Sequence, residues 1–469
     1  MEPVDVQGMD SVRPTGTLEL DGEMIADIQS LVDSNSRAMV LNILADVHPA
    51  DIAGLVSHLS RSDAGQVLGW LTTEIAGDVI VELDDDFRAV LLGDVAQTRL
   101  TAVLDEMDTD DAADVLSDLP EEVAEAVLPT LEDAEEVSSL LAYDEETAGG
   151  IMAAEFVAVH TGWTVAEATE EVRRNAEEVE QVFGVYAVDE DETLRGFVSL
   201  KRLLLSPADA LIEVVMEADP TCVATSVDQE EVARVMERYD LVTLAVVDDQ
   251  GRLAGRITID DIVDVIRDEA EEDIQRMSGV AGGEEATDSV LRVVRGRLPW
   301  LLAGMLGAGL AAVVILQFED ALAASAILAG FIPIVMATAG NAGIQSSAIA
   351  VQGLAAGDIW AADLMPRIIR EVLVSILNGL ASAVILGLAI MAVGASGLIE
   401  IESPTTLAGT AALALVLVIM LATTIGATIP LLLDKAGVDP ALATGPFITT
   451  SNDILGILVF FLLAEALYL

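Results

Sequence analysis

One carboxylate in this chain stands where a carboxylate is expensive. Asp453 closes the run Thr449-Thr450-Ser451-Asn452-Asp453 and is followed at once by Ile454-Leu455-Gly456-Ile457-Leu458-Val459. From about Pro440 to Ala464 it is the only charge. A carboxylate in so apolar a segment normally faces a water-filled path or pairs with a base, and no base lies within any apolar run of this chain. A second run, Ala337-Thr338-Ala339-Gly340-Asn341-Ala342-Gly343-Ile344-Gln345-Ser346-Ser347, follows Pro333 and sets Asn341 and Gln345 among small residues. It reads in two ways: as polar glue between close-packed helices, or as a locally loosened helix whose carbonyls and Asn341 amide line a path. The apolar runs contain neither Cys nor His, the ligands that transition metals prefer. A lone carboxylate with carbonyl and amide oxygens suits a hard cation that keeps most of its waters, such as Mg²⁺. A two-fold dimer would bring two copies of Asp453 to a shared axis; alternatively, each subunit lines its own path.

The elements that must position these residues are long and apolar. Leu298–Gln317, Ala321–Gly357, Val372–Ile399 and Ser403–Leu433 carry no charge, and the segment of Asp453 makes a fifth. Each is long enough to cross a hydrocarbon core of about 30 Å as a helix. Arg292, Arg295, Arg297, Arg367, Arg370 and Lys435 all fall in the connections on one side. The positive-inside rule therefore predicts that residues 1–295 are cytosolic and the C-terminus lies outside.

Charge divides the 469 residues at the same place. The net charge is −57 although 53% of the residues are hydrophobic. Beyond Arg295 there are only 11 acids and four bases, a balance of −7, which leaves −50 for residues 1–295. So negative a surface excludes a nucleic-acid partner. Only Lys201 and Lys435 are lysines, and acidity with scarce lysine suggests a salt-rich cytosol in which self-repulsion is screened. Cys222 is alone, so it forms no intrachain disulfide, and His48, His58 and His160 have no ligand spacing. The first residues, MEPVDVQGMDSV, lack the apolar core of a secretory signal.

The acidic half has two textures. Residues 30–145 alternate short amphipathic stretches with turns. His48–Leu59 (HPADIAGLVSHL) resembles Thr109–Leu119 (TDDAADVLSDL), which predicts stacked helical hairpins with Val115, Leu116 and Leu119 facing one core. From residue 148 a different unit occurs twice. Val185-Tyr-Ala-Val followed by an acidic turn and Gly-Phe-Val-Ser returns 59 residues later as Leu244-Ala-Val-Val, an acidic turn and Gly-Arg-Ile-Thr. Each copy predicts a buried strand, a turn, a second strand opening near Gly196 or Gly255, and a helix. The stretch IDDIVDVIRDEAEEDIQRM, ending at Met277, then leads to a glycine-rich break at Gly279–Gly283 and the amphipathic Thr287–Arg295. A helix there would carry motion from the acidic half to the spans.

The doubled unit resembles a tandem pair of CBS domains. In that family a Ser/Thr-x-x-Asp after the second strand can hold a nucleotide ribose. Thr258-Ile-Asp-Asp261 fits, whereas Ser199-Leu-Lys-Arg202 ends in arginine. The resemblance thus implies at most one adenine-nucleotide site, at Thr258 and Asp261, residues that equally cap the following helix. The order of helical domain, CBS pair, connecting helix and five spans resembles the MgtE family of magnesium channels and transporters, from about His48 onward. HPADIA (48–53), TAGGIM (147–152), RLPWLL (297–302), GNAGIQSSAIAVQGLAAGD (340–358) and GVDPALATGPFITTSNDILG (437–456) carry it.

The resemblance implies a multidomain membrane protein: an acidic flexible N-terminus at 1–29, a helical-hairpin N-domain at 30–145, CBS domains at 146–210 and 211–275, a connecting (plug) helix region at 276–296 and five transmembrane α-helices at 297–469. It implies a homodimeric channel in membrane lipid that imports hydrated Mg²⁺, with Asp453, Asn341, Gly340, Thr449 and Gln345 along the ion path. Ile344 and Ala339 depart from a polar residue and a second glycine that many relatives carry. It further implies gating by cytosolic Mg²⁺ bridging acidic faces, with Asp261, Glu272 and Asp273 as the regulatory set. The competing readings are a membrane-anchored CBS sensor without transport and a channel for another divalent cation such as Co²⁺. No nucleophile–base pair, P-loop or metalloprotease motif points to an enzyme, so transport would draw on the ion gradient and membrane potential.

Overall fold

The computed structural model describes residues 22–93, 95–175, 179, 181–280, 282, 284, 290–357, 364–397, 399–443 and 445–469. The start of the acidic N-terminus, part of the glycine-rich break and the beginning of Thr287–Arg295 lie outside the described residues. The chain divides into two compact units, Met1–Ile266 and Arg267–Leu469.

Short α-helices fill the first unit from Gly22 to Leu140. Their lengths are set locally. Ser60, Thr72 and Asp84 each accept the backbone N–H three residues on, so a new helix begins wherever a capping side chain follows a turn. The apolar faces meet in one core, where Leu55, Val56, Val67, Val79 and Leu100 are buried together with Val115, Leu116 and Leu119, as their spacing predicts.

Two small sheets follow. β1 (Ala158–His160), β2 (Gly184–Val188), β3 (Leu194–Ser199) and β4 (Glu217–Ala218) pair in that order. β5 (Cys222–Ala224), β6 (Thr243–Val247) and β7 (Leu253–Thr258) form the second sheet. In both, the first pair is parallel and the second antiparallel. The internal repeat extends to an irregularity: the ladder shifts register at Ala187/Val188 in one copy and at Val246/Val247, 59 residues on, in the other. Gly196 and Gly255 lie within their strands rather than opening them, because backbone and side chains press close there. A Cβ on Gly255 would stand 2.7 Å from the Ala153 carbonyl oxygen.

The second unit holds five helical spans. The first, Val290–Gln317, begins well before Leu298 and carries Arg292, Arg295 and Arg297 in its opening turns. The second apolar run is not one helix: Glu319–Ala324 is a separate short helix, Ala326–Phe331 is 3₁₀, and the α-helix runs from Ile332 to Ala355. Through Gly340, Asn341 and Gly343 that helix is continuous, so the loosened-helix reading is corrected. Pro333 sits in the first turn, where its missing N–H costs no helical bond. The third and fourth spans are Leu364–Ser396 and Pro404–Lys435, and the fifth is Pro446–Leu467 after a 3₁₀ turn at Pro440–Ala443. Stacked rings join the segment between the first two span helices to the fifth, Phe318 to Phe461 at 4.9 Å and Phe331 to Phe460 at 5.7 Å between centroids.

Candidate ion path and regulatory cluster

Asp453 lies in the second turn of the fifth-span helix and is half-buried. Thr449 stands one turn before it on the same face and donates from Oγ1 to the Gly445 carbonyl at 3.1 Å. The fifth span is seated by glycines of its neighbours. A Cβ on Gly307 of the first span would collide with the Thr450 side chain, and one on Gly343 of the second span with the Asn452 amide. Close approach of backbone replaces the hydrophobic driving force that water would otherwise supply.

Asn341 and Gln345 are exposed on the second span, one turn apart. Gly343 lies two residues from either, about 200° around the helix at roughly 100° per residue. Asn341 and Gln345 therefore point away from the seat of Asn452, and no hydrogen bond joins them to Asp453 among the described residues. Gly340 is buried, yet a Cβ there would meet nothing within 4 Å. Within one chain the structure brings Thr449 and Asp453 together, and leaves Asn341 and Gln345 on a different surface.

The second cluster is in the first unit, at the start of the helix Thr109–Asp118. Asp110 is buried, and its carboxyl is pushed well above the usual range, first by burial and then by Asp111, Asp261, Asp108 and Glu155. Burial, Asp261 and Asp108 raise Asp111 to about 8, and burial raises Asp114 to about 7 against the attraction of Arg88. Asp261 is itself raised by burial. These acids come from the helical domain and from the first turn of the helix Ile259–Met277 that follows β7, and they hold one another's ionisation up. A cation is the species that would relieve them. Among the described residues no three His, Cys, Asp or Glu are placed to hold a metal ion.

One cation already belongs to the cluster. Arg256, in the middle of β7, is 4% exposed. It donates from Nε to the Glu155 carbonyl and from Nη1 to the Gln181 carbonyl, both at 2.7 Å, and its Nη2 lies 3.7 Å from Asp108 Oδ2. Glu155 accepts from Thr109 N at 3.0 Å and from Thr109 Oγ1 at 2.8 Å, which docks that helix start. Asp108, Asp110, Asp111, Glu155 and Arg256 were not among the sequence candidates. The available signal was the repeat itself, since Arg256 occupies the place that Phe197 holds 59 residues earlier.

Asp261 Oδ2 accepts from Thr258 N at 3.1 Å and from Thr258 Oγ1 at 2.8 Å. This pair, the proposed ribose contact, here caps the helix Ile259–Met277. Glu272 and Asp273 lie further along that helix, in the second unit. Glu272 is ion-paired with Arg276, whose Nη1 reaches Asp439 Oδ2 at 2.5 Å. Gln275 exchanges two hydrogen bonds with the backbone of Glu284, at 2.7 and 2.9 Å, and the Glu284 carboxylate pairs with Arg297 at the start of the first span.

The chain as a whole is similar to known proteins. A family model for MgtE, a divalent cation transporter, matches residues 332–463; one for the MgtE intracellular N domain matches 47–146; CBS-domain models match 148–209 and 212–268. The magnesium transporter MgtE of Enterococcus faecalis is 37% identical over 332 residues, 71% of either chain. That of Bacillus subtilis is 32% identical over 448 residues, 95% of this chain and 97% of its own. The chain belongs to the MgtE family. Its helical N domain, tandem CBS pair and five apolar helices are the MgtE architecture, and it is a multi-pass membrane protein. Among solved structures, the cytosolic domain of the Mg²⁺ channel MgtE in complex with ATP is 33% identical, spans 51% of this chain and 99% of its own, and superposes with a TM-score of 0.49.

Proposed function

We propose that this MgtE-family chain imports hydrated Mg²⁺ down its electrochemical gradient as a homodimer, with Asp453 as the ion-binding carboxylate. The observation that carries the reading is the exposure of Asn341 and Gln345 on a membrane-spanning helix. Amides facing lipid would go unsatisfied, so they belong against water or a second subunit. Two copies of that face, together with the separate surface that carries Thr449 and Asp453 on the fifth span, would offer carbonyl, amide and carboxylate oxygens suited to an ion that keeps its waters. Exposed Leu204, Leu205 and Val214 in the first unit supply apolar surface for the same pairing. The arginines flanking the spans support a cytosolic first unit and an outer C-terminus.

Gating follows from the acidic cluster. Mg²⁺ bound among Asp108, Asp110, Asp111 and Asp261 would relieve their repulsion and hold the helical domain against β7, which stabilises the closed form by mass action. When internal Mg²⁺ falls, the ionised acids separate the two. The end of the connecting helix, tied to Asp439 and through Glu284 to Arg297, would pass that change to the first and fifth spans. An adenine nucleotide at Thr258 and Asp261 would first have to break their cap.

The test is Mg²⁺ flux into liposomes loaded with an Mg²⁺ indicator. Asp453→Asn should lower flux roughly 50-fold or more, the equivalent of the ~2–3 kcal/mol of a charge-assisted hydrogen bond. Wild-type flux in that variant would refute the role of Asp453. Absence of flux in the unmutated chain would favour a membrane-anchored sensor, and faster Co²⁺ than Mg²⁺ flux would change the assigned ion.

A further inference from the structure

Asn452 is a costly residue in its place. It is 2% exposed, inside an apolar helix, and its Oδ1 has no hydrogen-bond partner among the described residues. Among the described residues, its side chain donates one hydrogen bond, from Nδ2 to the Ala339 carbonyl of the second span, at 3.4 Å. A leucine of similar size would fill the space without leaving a buried acceptor unpaired, and on stability alone would serve as well or better. The asparagine must therefore contribute something other than stability.

Its seat indicates what. The amide lies in a notch that exists because residue 343 is glycine; a Cβ there would run into Asn452 Nδ2. One turn on, Gly456 packs against the fourth and second spans, where a methyl would stand 3.3 Å from Val418 Cγ1 and 3.4 Å from Ala339 Cβ. Thr450 fits against Gly307 of the first span. Thr450, Asn452 and Gly456 thus meet three neighbouring helices, and Asp453 lies on the sector of the fifth helix between Gly456 and Thr450. Apolar packing alone fixes rotation and height weakly, because aliphatic surfaces slide over one another at little cost. A directional bond from Nδ2 to one particular carbonyl does not slide.

We propose that Asn452 is a positioning residue: by engaging the Ala339 carbonyl through the Gly343 notch it sets the rotation of the fifth span, and so where the Asp453 carboxylate meets the ion. The proposal rests on Asp453 binding the ion. Discrimination between hydrated divalent cations depends on where that carboxylate stands, so Asn452 sets the apparent affinity for Mg²⁺ and the preference for Mg²⁺ over the larger Ca²⁺.

The experiment uses the full chain in liposomes and measures Mg²⁺ and Ca²⁺ flux against concentration, with thermal unfolding of each variant in detergent. Asn452→Leu should keep or raise the unfolding midpoint, raise the Mg²⁺ concentration for half-maximal flux roughly tenfold, a change of about 1.4 kcal/mol, and raise the Ca²⁺-to-Mg²⁺ flux ratio. Gly343→Ala should give the same two flux changes with a lowered midpoint. Adding Asn452→Ala to Gly343→Ala should restore the midpoint but not the half-saturation, which separates the amide from the packing. Should Asn452→Leu fail to fold, Asn452→Ala alone carries the same flux expectation. Unchanged half-saturation and flux ratio in the folded Asn452 variant, with Asp453→Asn inactive, would overturn the proposal while leaving the role of Asp453 intact. Normal flux in Asp453→Asn would remove the premise instead.

Discussion

Arg276 and Asp439, 163 residues apart in the chain, share an ion pair in which Nη1 lies 2.5 Å from Oδ2. The same guanidinium pairs with Glu272, four residues back on its own helix, so one arginine joins the end of the connecting helix to the turn that precedes the fifth span. Both Arg276 and Asp439 are somewhat under a third exposed, which places the pair between a surface ion pair and a buried one.

That pair yields the first prediction. If the connecting helix transmits closure, Arg276→Gln should raise the internal Mg²⁺ needed to shut the flux by roughly fivefold, about 1 kcal/mol of coupling. The swap Arg276→Asp with Asp439→Arg should recover part of that loss. Flux measured at a series of internal Mg²⁺ concentrations checks both, and equal set-points in all three proteins would exclude the link.

The acidic cluster predicts a pH dependence with a definite sign. Asp110, Asp111 and Asp114 carry folded-state pKa values raised above their unfolded values, to about 8 for Asp111 and about 7 for Asp114. Their protonated form is the one the fold prefers. The stability they lend is complete below pH ~4 and is lost as pH rises through about 7 to 8. Without divalent cations, the protease resistance of residues 22–140 should therefore fall between pH 6 and 8.5, and Mg²⁺ should abolish the fall. Mg²⁺ binding near pH 7 should release protons, on the order of one per site, measurable by calorimetry in buffers of different ionisation enthalpy.

Neutralising one acid should weaken the need for a cation. In Asp111→Asn a like charge is gone from a crowded site, so at pH 8 in EDTA the first unit should gain roughly 1 kcal/mol or more. Limited proteolysis should then show protection that varies less with Mg²⁺. Weaker protection in EDTA than in the unmutated chain would contradict the electrostatic account.

Arg88 gives a prediction about stability alone. It is buried, and pairs with Asp118 at 2.5 Å and Asp85 at 2.7 Å. Arg88→Leu strands the partly buried Asp118 and should cost about 3 kcal/mol, visible as a lowered unfolding midpoint at pH 7. Lowering the pH should shrink the difference, because burial raises the Asp118 carboxyl and so favours its protonated form.

Glycines of the first span separate packing from composition. Gly307→Ala should disturb the seat of Thr450 and lower flux, whereas Gly304→Ala, with nothing within 4 Å of the added carbon, should leave flux and stability unchanged. Size-exclusion profiles and flux assays of the two variants check this.

Much of the architecture was legible in advance because it is written in one dimension. Runs without charge are long enough to span a membrane, and two copies 59 residues apart share even a strand irregularity. Asp453 stood out because burying a charge in lipid is costly wherever its neighbours lie. Which face a residue occupies was harder to read. In a span both the lipid side and the packed side are apolar, so periodicity could not tell exposed Asn341 from buried Asn452. Of the two readings of that run, the loosened helix failed for a related reason: small residues serve close packing as readily as unwinding, and Gly343 turned out to serve packing. Among 79 acids, Asp110 and Asp111 looked like an ordinary acidic first turn, and only the tertiary fold sets them beside Asp261.

Arg256 sits where the twin strand has Phe197, among acids that repel one another. A guanidinium fixed to a strand has an effective concentration that no change of medium can dilute. Part of the counter-charge at the cluster is thus constant, and only the remainder has to be drawn from solution. If the cluster senses cations as proposed, it would respond to their scarcity from a raised baseline: the arginine's charge would set where the response begins, and the acids around it how steeply it runs.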